Sequence, residues 1–426
     1  MTQLPGYQFR STMPSLWDMV RRGVSDLASV VPDTILCEPA VQLPGPGAPV
    51  VIAAPALVRE VLGDRDGRFE RDRFFRRLQR RAWHKGLAAA EGEDWSRQRR
   101  AAAPAFTPSA VAQRIAAFTA AAGMSAATWP TGTQVALPGR MAEIIADIVL
   151  SVLVDGKGTV DPKTVAADMP AYIRRIASFG LLDLLPLPET WHDRLRGIGS
   201  DPAVLRLRAV ARTLALTRND TKGDMVALLE GVGPIEDNIL GLFPAAMETT
   251  ASATSWTLYT LARRPDWQTR VADEARACGG AFTLDQLPLT RRVVHEVLRL
   301  YPPAPLLVRS STAKGELGGF PLNKGQPVSI HIYAMQRHRK LWDAPDAFDP
   351  DRFLPERSVN APAWMPFGAG ARMCIAMQFA VAEITVIVAR LMTELELAPA
   401  GLEPQVTLQV TTSSATGLHI VAARRR

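Results

Sequence analysis

Apolar residues recur at helical spacing over most of the chain. The spacing is clearest from about Val111 to Asp155 and from Pro202 to Ala277, where few stretches alternate as a strand would. Strand-like signals are local: one lies near residue 50, one spans residues 315–333, and one lies close to the C-terminus. The pattern therefore predicts a mainly α fold with a small segregated β region.

No repeat and no low-complexity linker divides the sequence. We therefore predict one domain over residues 41–426. The first 40 residues show no pattern that defines their order, and we treat residues 1–40 as a separate N-terminal segment.

The stretch from about Pro234 to Arg263 is apolar on nearly every face. Such a helix is either buried centrally or lies in a membrane, and its internal proline, acid and hydroxyl groups favour the protein core. Pro244 removes one helical hydrogen bond and predicts a bend, one turn before Glu248 and Thr249. A buried carboxylate is costly, so this acid beside an alcohol is a candidate functional pair.

Composition indicates an ordinary globular protein. The chain has 426 residues, of which 47% are hydrophobic, and no run approaches the roughly 20 apolar residues of a membrane span. The N-terminus lacks the apolar segment of a signal peptide. The three cysteines, Cys37, Cys278 and Cys374, are odd in number and far apart, which is no disulfide framework. We therefore expect a cytoplasmic protein.

The formal net charge is +7, and the densest basic run covers residues 68–86. This run also contains Phe74 and Phe75, so a nucleic-acid patch is one interpretation. An amphipathic helix with its phenylalanines facing inward is the interpretation we favour, and we expect no nucleic-acid partner.

The most informative segment is PFGAGARMCIA, residues 366–376. Its glycines permit a tight backbone, and Cys374 is expected to open the apolar helix that follows. A helix N-terminus and the neighbouring Arg372 predict a lowered pKa for the thiol; the alternative is a buried core cysteine. A dinucleotide-binding loop is excluded because Met373 stands at its third glycine position. A zinc site is excluded because no Cys and His cluster lies nearby.

This segment resembles the haem-binding loop of the cytochrome P450 family, F-x-x-G-x-R-x-C-x-G, through Phe367, Gly370, Arg372 and Cys374. The last glycine of the family motif is Ala376 here. The resemblance implies that the Cys374 thiolate binds haem iron, that Phe367 belongs to the cofactor site, and that Arg372 pairs with a haem propionate.

Two further resemblances concern the propionates. Trp95 and Arg99 resemble the family's W-x-x-x-R, in which both side chains reach a propionate, and Arg309 stands where the family often places another propionate ligand. An arginine fork suits a carboxylate because it donates two charge-assisted hydrogen bonds.

A structural triad is implied as well. Glu296 and Arg299 resemble the family's E-x-x-R, and Arg352, in the sequence DPDRF, resembles the arginine that joins them. An ordinary surface ion pair is the alternative for the first two residues, which lie three apart on a helix.

Residues 245–250 resemble the family's A-G-x-[D/E]-T-[T/S], with Ala246 in place of the glycine. This implies that Glu248 and Thr249 relay protons for oxygen activation in a dry pocket. The alternative for Thr249 is a hydroxyl bonded back to a helix carbonyl. The expected substrate pocket is apolar and is lined by Leu242, Phe243, Ala245, Ala246, Leu306, Leu307 and Val308. The segment around Phe74 to Leu87 and the tip near Thr412 to Thr416 are further candidates for its lining.

The resemblance implies a soluble bacterial-type P450 monooxygenase with haem b, which inserts one oxygen atom of O₂ into a small apolar molecule. Because no flavin or iron–sulfur segment follows, we expect electrons from a ferredoxin and its NAD(P)H-dependent reductase. Three alternatives stay open: a peroxygenase-type member, a non-enzymatic haem-binding member, and a nucleic-acid-binding protein that uses residues 68–86.

Overall fold

Helices make up most of the regular structure in the computed structural model, which describes residues 4–19, 26–153, 159–177, 191, 194–195, 197–217, 225–357 and 361–426. The longer helices are α1 (Pro55–Leu62), α2 (Arg73–Trp83), α3 (Gly92–Ala102), α4 (Pro108–Ala127), α5 (Leu137–Ile148), α6 (Pro162–Ala177), α7 (Pro202–Leu216), α8 (Ile235–Arg263), α9 (Pro265–Ala277), α10 (Pro288–Leu300) and α11 (Met377–Glu394). Shorter helical turns lie at Leu16–Asp18, Leu27–Val30, Asp33–Leu36, Ala103–Phe106, Val149–Leu153, Ile198–Ser200, Met225–Leu228, Leu284–Gln286, Ile332–Met335, Pro350–Phe353, Ala361–Ala363 and Gly370–Arg372.

The strands are short and form small sheets. They are β1 (Ala40–Gln42), β2 (Val50–Ile52), β3 (Phe69–Arg71), β4 (Gln134–Ala136), β5 (Leu306–Ser311), β6 (Gly315–Leu317), β7 (Phe320–Leu322), β8 (Pro327–His331), β9 (Leu395–Ala400), β10 (Val406–Leu408), β11 (Thr412–Ser414) and β12 (His419–Arg424). The largest sheet has the order β1-β2-β8-β5-β3, and a second sheet has the order β4-β12-β9. The predicted mainly α fold with a small β region is confirmed.

Helix α8 runs through the core, as its apolar pattern predicts. Helices α5, α7 and α11 pack against it, and Pro244 lies inside it. Trp256 is fully buried on α8, where it stacks on Tyr301 with ring centroids 4.0 Å apart. Its indole N–H donates to the carbonyl of Thr412 at 3.1 Å. Among the described helices, none combines the length and the apolar character that crossing a bilayer requires.

The basic run near residue 70 forms β3 and α2. Phe75 is half-buried, while the side chain of Phe74 lies outside the described residues. The predicted helix is therefore present over Arg73–Trp83, whereas the start of the run forms a strand at Phe69–Arg71. The described part of the N-terminal segment is held by the backbone: the N–H of Tyr7 donates to the Tyr333 hydroxyl at 2.9 Å, and the Tyr301 hydroxyl donates to the carbonyl of Pro5 at 2.7 Å.

The Glu296–Arg299 pair lies in the interior and not on the surface. Both side chains are fully buried and their closest charged atoms are 2.7 Å apart. Arg352 approaches the same carboxylate at 3.4 Å, and Arg299 also donates to the carbonyls of Gln336 and Pro345. A buried pair is tolerated only when hydrogen bonds satisfy its remaining polar atoms. These contacts join α10 to the loop that leads to the cysteine.

Candidate active site at the cysteine loop

The loop before Cys374 is held by backbone contacts. Gly370 has φ +71°, in the left-handed region that favours glycine, and a Cβ there would overlap the backbone carbonyl oxygen of Leu62. The N–H of Cys374 donates to the carbonyl of Phe367 at 3.0 Å. Helix α11 begins at Met377, so the expectation that Cys374 opens the helix is wrong by three residues.

The thiol of Cys374 has a raised and not a lowered pKa. Burial among protein atoms raises it, while an N–H of Ala376 and the positive charge of Arg99 act in the opposite direction. Desolvation disfavours the charged thiolate more than these two groups favour it. The lowered pKa expected from the sequence is therefore wrong in the protein alone. Cys374 nevertheless keeps an exposed surface in the site.

Helix α3 brings Trp95 and Arg99 to the cysteine loop. The guanidinium of Arg372 lies 4.1 Å from the centroid of the Trp95 ring, and that of Arg99 lies 5.8 Å from it. Arg99 also donates to the carbonyl of Met373 at 2.8 Å. The structure thus places three predicted cofactor-binding side chains beside one another, next to Cys374.

Arg309 joins this group from the largest sheet. It lies on β5 directly opposite Arg71 of β3, and like charges in that position repel. Burial, followed by the charge of Arg71, lowers the pKa of Arg309 to about 10. The same two causes lower the pKa of Arg372 to about 10. Both remain protonated at neutral pH.

One carboxylate, Glu91, offsets part of this charge. Its two oxygens accept from different arginines, at 2.5 Å from Arg71 and at 2.8 Å from Arg372. Among the described residues, Glu91 is the one carboxylate that forms an ion pair with an arginine of this group. We call Arg71, Arg99, Arg309 and Arg372 the arginine cluster; with Glu91 it keeps an excess of three positive charges.

The acid and the alcohol of α8 are both engaged in hydrogen bonds. The Thr249 hydroxyl donates to the carbonyl of Ala245 at 2.8 Å, which is the back-bonded arrangement considered as the alternative. The Thr411 hydroxyl donates to Glu248 at 3.0 Å. Burial raises the pKa of Glu248, and this hydrogen bond opposes the rise.

The predicted pocket residues separate into two groups. Leu242, Ala245, Ala246 and residues 306–308 keep exposed surface, as residues that line a pocket must. Phe243 is fully buried in the core, and the structure gives it no surface to offer a ligand. Its inclusion among the pocket residues is therefore wrong, because an apolar position on a helix that is buried over most of its surface need not face the site.

A cavity of about 300 Å³ lies beside α8. It is bounded by α5, α6, α8 and the residues around β11, and it includes Glu248 together with Thr412, Ser413 and Ser414 of the predicted tip. Met169 and Leu418 contribute apolar wall, while Glu248 and Thr411 contribute polar atoms. The cavity therefore shares the tip at Thr412–Thr416 with the predicted substrate pocket, and it includes none of the predicted lining residues of α8 and β5.

Three residues of the site were missed in the sequence. Arg71 belongs to the basic run, for which the sequence predicted a solvated helix. Glu91 lies directly before α3 and belongs to none of the sequence motifs. Thr411 lies 163 residues from its partner Glu248. Only the tertiary fold brings these residues to the motifs.

Comparisons with known proteins identify the family. The cytochrome P450 family model matches residues 232–418. A 6-coordinated cytochrome P450 from Thermus thermophilus superposes with a TM-score of 0.71 and 25% identity, over 93% of this chain and 98% of the other. The chain belongs to the cytochrome P450 family.

Relatives with assigned names are found in bacteria and mammals. Cyclooctat-9-en-7-ol 5-monooxygenase of Streptomyces melanosporofaciens is 29% identical over 90% of this chain and 86% of its own length. Pentalenene oxygenase of Streptomyces avermitilis is 29% identical over 89% of this chain and 87% of its own length. The mouse protein cytochrome P450 4A10 is 42% identical over 36% of this chain, and the match spans 31% of the mouse protein.

A substitution of Gly370 tests the packing of the loop. Gly370→Ala places a methyl group against the carbonyl of Leu62 in addition to straining the backbone. Gly319→Ala is the matched control, because Gly319 has φ +85° with open space around it. Strain alone costs about 1–2 kcal/mol, and overpacking should add about 1–3 kcal/mol at Gly370. Urea unfolding measures both losses, and equal losses would contradict the close contact.

Proposed function

We propose that this protein is a haem-thiolate monooxygenase that inserts one oxygen atom of O₂ into a small apolar organic molecule. The observation that carries the proposal is the arginine cluster beside Cys374, with its excess of positive charge. Haem b presents two propionate groups, and two negative charges suit that excess.

The residues present fit haem. Cys374 would hold the iron, and Trp95, Arg99, Arg309 and Arg372 would hold the propionates. When bound, the thiolate-ligated haem would supply the activation of O₂. Coordination to a metal deprotonates a thiol, so the raised pKa of the free Cys374 thiol does not oppose ligation.

Glu248 and Thr249 are proposed to supply protons in the site. Burial raises the pKa of Glu248 and so favours its protonated form, and one of its oxygens accepts from Thr411. Thr249 donates its single hydroxyl proton to Ala245, so it can only accept until the hydroxyl rotates. A relay through this pair therefore requires the Thr249 hydroxyl to turn away from the carbonyl of Ala245.

The substrate class rests on the lining and on the relatives. Leu242, Ala246 and residues 306–308 offer apolar surface. The Streptomyces relatives are named for oxygenation of pentalenene and of cyclooctat-9-en-7-ol. Both observations support a small apolar substrate.

Electrons are proposed to come from a ferredoxin that is reduced by an NAD(P)H-dependent reductase. Helix α3, which also carries Arg99, exposes Arg97 and Arg100 to solvent. Arg97 pairs with Asp94 at 2.6 Å, and Arg100 donates within its own helix, to the carbonyl of Ser96. An acidic ferredoxin would meet a complementary surface here.

Replacement of Cys374 tests the ligand assignment. In the reduced protein with carbon monoxide, the wild type should show the strongly red-shifted Soret band of thiolate-bound haem, and Cys374→Ala should lose it. Cys278→Ala is the matched control and should keep the band, because Cys278 lies at the end of α9 and bonds Glu274 and Gln286. A band that survives in Cys374→Ala would reject the assignment.

Replacement of Thr249 tests the proton relay. Thr249→Ala should keep the haem content and substrate binding, while the product formed per NAD(P)H consumed falls several-fold and peroxide or water rises. Thr257→Ala, a back-bonded threonine on the same helix, should leave this ratio unchanged. Unchanged coupling in Thr249→Ala would remove the relay and favour the peroxygenase alternative, which hydrogen peroxide in place of NAD(P)H would then test.

Charge reversal on α3 tests the ferredoxin surface. The double variant Arg97→Glu with Arg100→Glu should slow ferredoxin-driven reduction and weaken its dependence on ionic strength. The substrate-induced change in the haem spectrum should stay as in the wild type. Reversal of Arg270 on α9, whose guanidinium lies over the Trp267 ring, is the control. A wild-type rate with a wild-type salt response would place the docking surface elsewhere.

A further inference from the structure

The arginine cluster contains a close pairing of Arg71 with Arg309. Arg71 belongs to none of the sequence motifs described above. Arg71 and Arg309 stand opposite each other on neighbouring strands, which is unfavourable for like charges. Arg372 adds a third charge close by, since Arg71 is the largest charge acting on its pKa. Some anion must hold these side chains near one another.

Glu91 supplies that anion within the chain. Its two oxygens bind two arginines separately, so a single carboxylate bridges β3 and the cysteine loop. The Glu91 contact with Arg372 joins residues 281 positions apart. Charge-assisted hydrogen bonds of this kind are stronger than neutral ones, and the side chain of Arg71 is only 9% exposed.

All three guanidinium nitrogens of Arg71 donate hydrogen bonds to this arrangement. Its Nε donates to Glu91, and its two terminal nitrogens donate to the carbonyls of Ala88 and Ala89 at 2.8 and 3.0 Å. Arg71 therefore fixes the segment that leads into α3, and with it the position of Glu91. Arg372 uses one nitrogen on Glu91, which leaves the rest of its planar fork available.

We propose that Glu91 is a positioning residue for the cofactor: it holds Arg372 over the Trp95 ring so that the unused donors of this arginine meet a haem propionate. The proposal rests on the proposed function, since it needs haem in the site. Glu91 touches no reacting group; it acts through Arg372, while Arg71 anchors Glu91.

A second role follows from the charge of Glu91. Four arginines without a carboxylate would favour the more negative, reduced state of the haem more strongly. Glu91 therefore holds the reduction potential down while it orders the cluster. Removal of its charge has two effects of opposite sign on haem retention: Coulomb attraction to the propionates rises, but the order of Arg372 is lost.

The test uses the haem-loaded protein and the variant Glu91→Gln, which keeps the shape and removes the charge. Transfer of haem to excess apomyoglobin gives the release rate. Because positioning dominates in our proposal, release should be at least several-fold faster than in the wild type. Glu91→Asp keeps the charge and can retain one arginine. Its haem release rate should lie between those of the wild type and Glu91→Gln.

The matched control is Glu70→Gln. Glu70 is next to Arg71 on β3 and pairs with Arg76 at 3.3 Å, outside the cluster. Glu70→Gln should therefore release haem at the wild-type rate. Combining Arg372→Gln with Glu91→Gln should release haem no faster than Arg372→Gln alone, because residues that act as one unit are not additive.

The reduction potential tests the charge of Glu91 separately from its positioning role. Glu91→Gln should favour the reduced haem by roughly tenfold, which is about 59 mV for one electron, and Glu70→Gln should not. The proposal would be overturned if Glu91→Gln released haem no faster than Glu70→Gln. An unchanged potential would overturn the role assigned to its charge.

Failure of this proposal is distinguishable from failure of the proposed function. If Glu91 has no role, the variant still shows the thiolate-type carbon monoxide band with wild-type release. If the proposed function is wrong, the wild type itself lacks that band. Should Glu91→Gln fold poorly, Arg71→Lys provides a second test, since lysine cannot reach Glu91, Ala88 and Ala89 together and should also speed release.

Discussion

Helix α8 is apolar on nearly every face, and the rest of the molecule must therefore cover most of its surface. Helices α5, α7 and α11 pack against it. Trp256 illustrates the close packing, because Tyr301 stacks on its ring and the carbonyl of Thr412 accepts from its N–H. A helix enclosed in this way is rigid. Glu248 and Thr249 consequently sit on a fixed element, and only their side-chain torsions remain free.

The cysteine loop depends on contacts from three separate parts of the chain. Phe367 accepts the N–H of Cys374, Arg99 of α3 holds the carbonyl of Met373, and Gly370 lies against the end of α1. Such support fixes the position of the Cys374 side chain. The buried Glu296–Arg299 pair contributes from further away, because it anchors the loop that precedes this segment.

The parts of the structure that the sequence predicts are those fixed locally. Helix α8 follows from a long, mostly apolar pattern, and the cysteine loop follows from glycines and a cysteine within eleven residues. The pKa of Cys374 was not predictable in this way, because it depends on how many protein atoms surround the thiol. Glu91 and Thr411 were missed because each meets its partner only through the tertiary fold, across 281 and 163 residues.

The arginine cluster also shows why net charge alone says little about function. The formal charge of +7 is spread over 426 residues, whereas an excess of three charges gathers beside one cysteine, with Arg71 and Arg309 directly opposite each other. Opposed like charges cost stability, so a fold that keeps them needs an anion at that place. Glu91 satisfies part of this requirement. The part it leaves fits a dianion held next to Cys374, whereas Arg97 and Arg100 are exposed on the surface of α3.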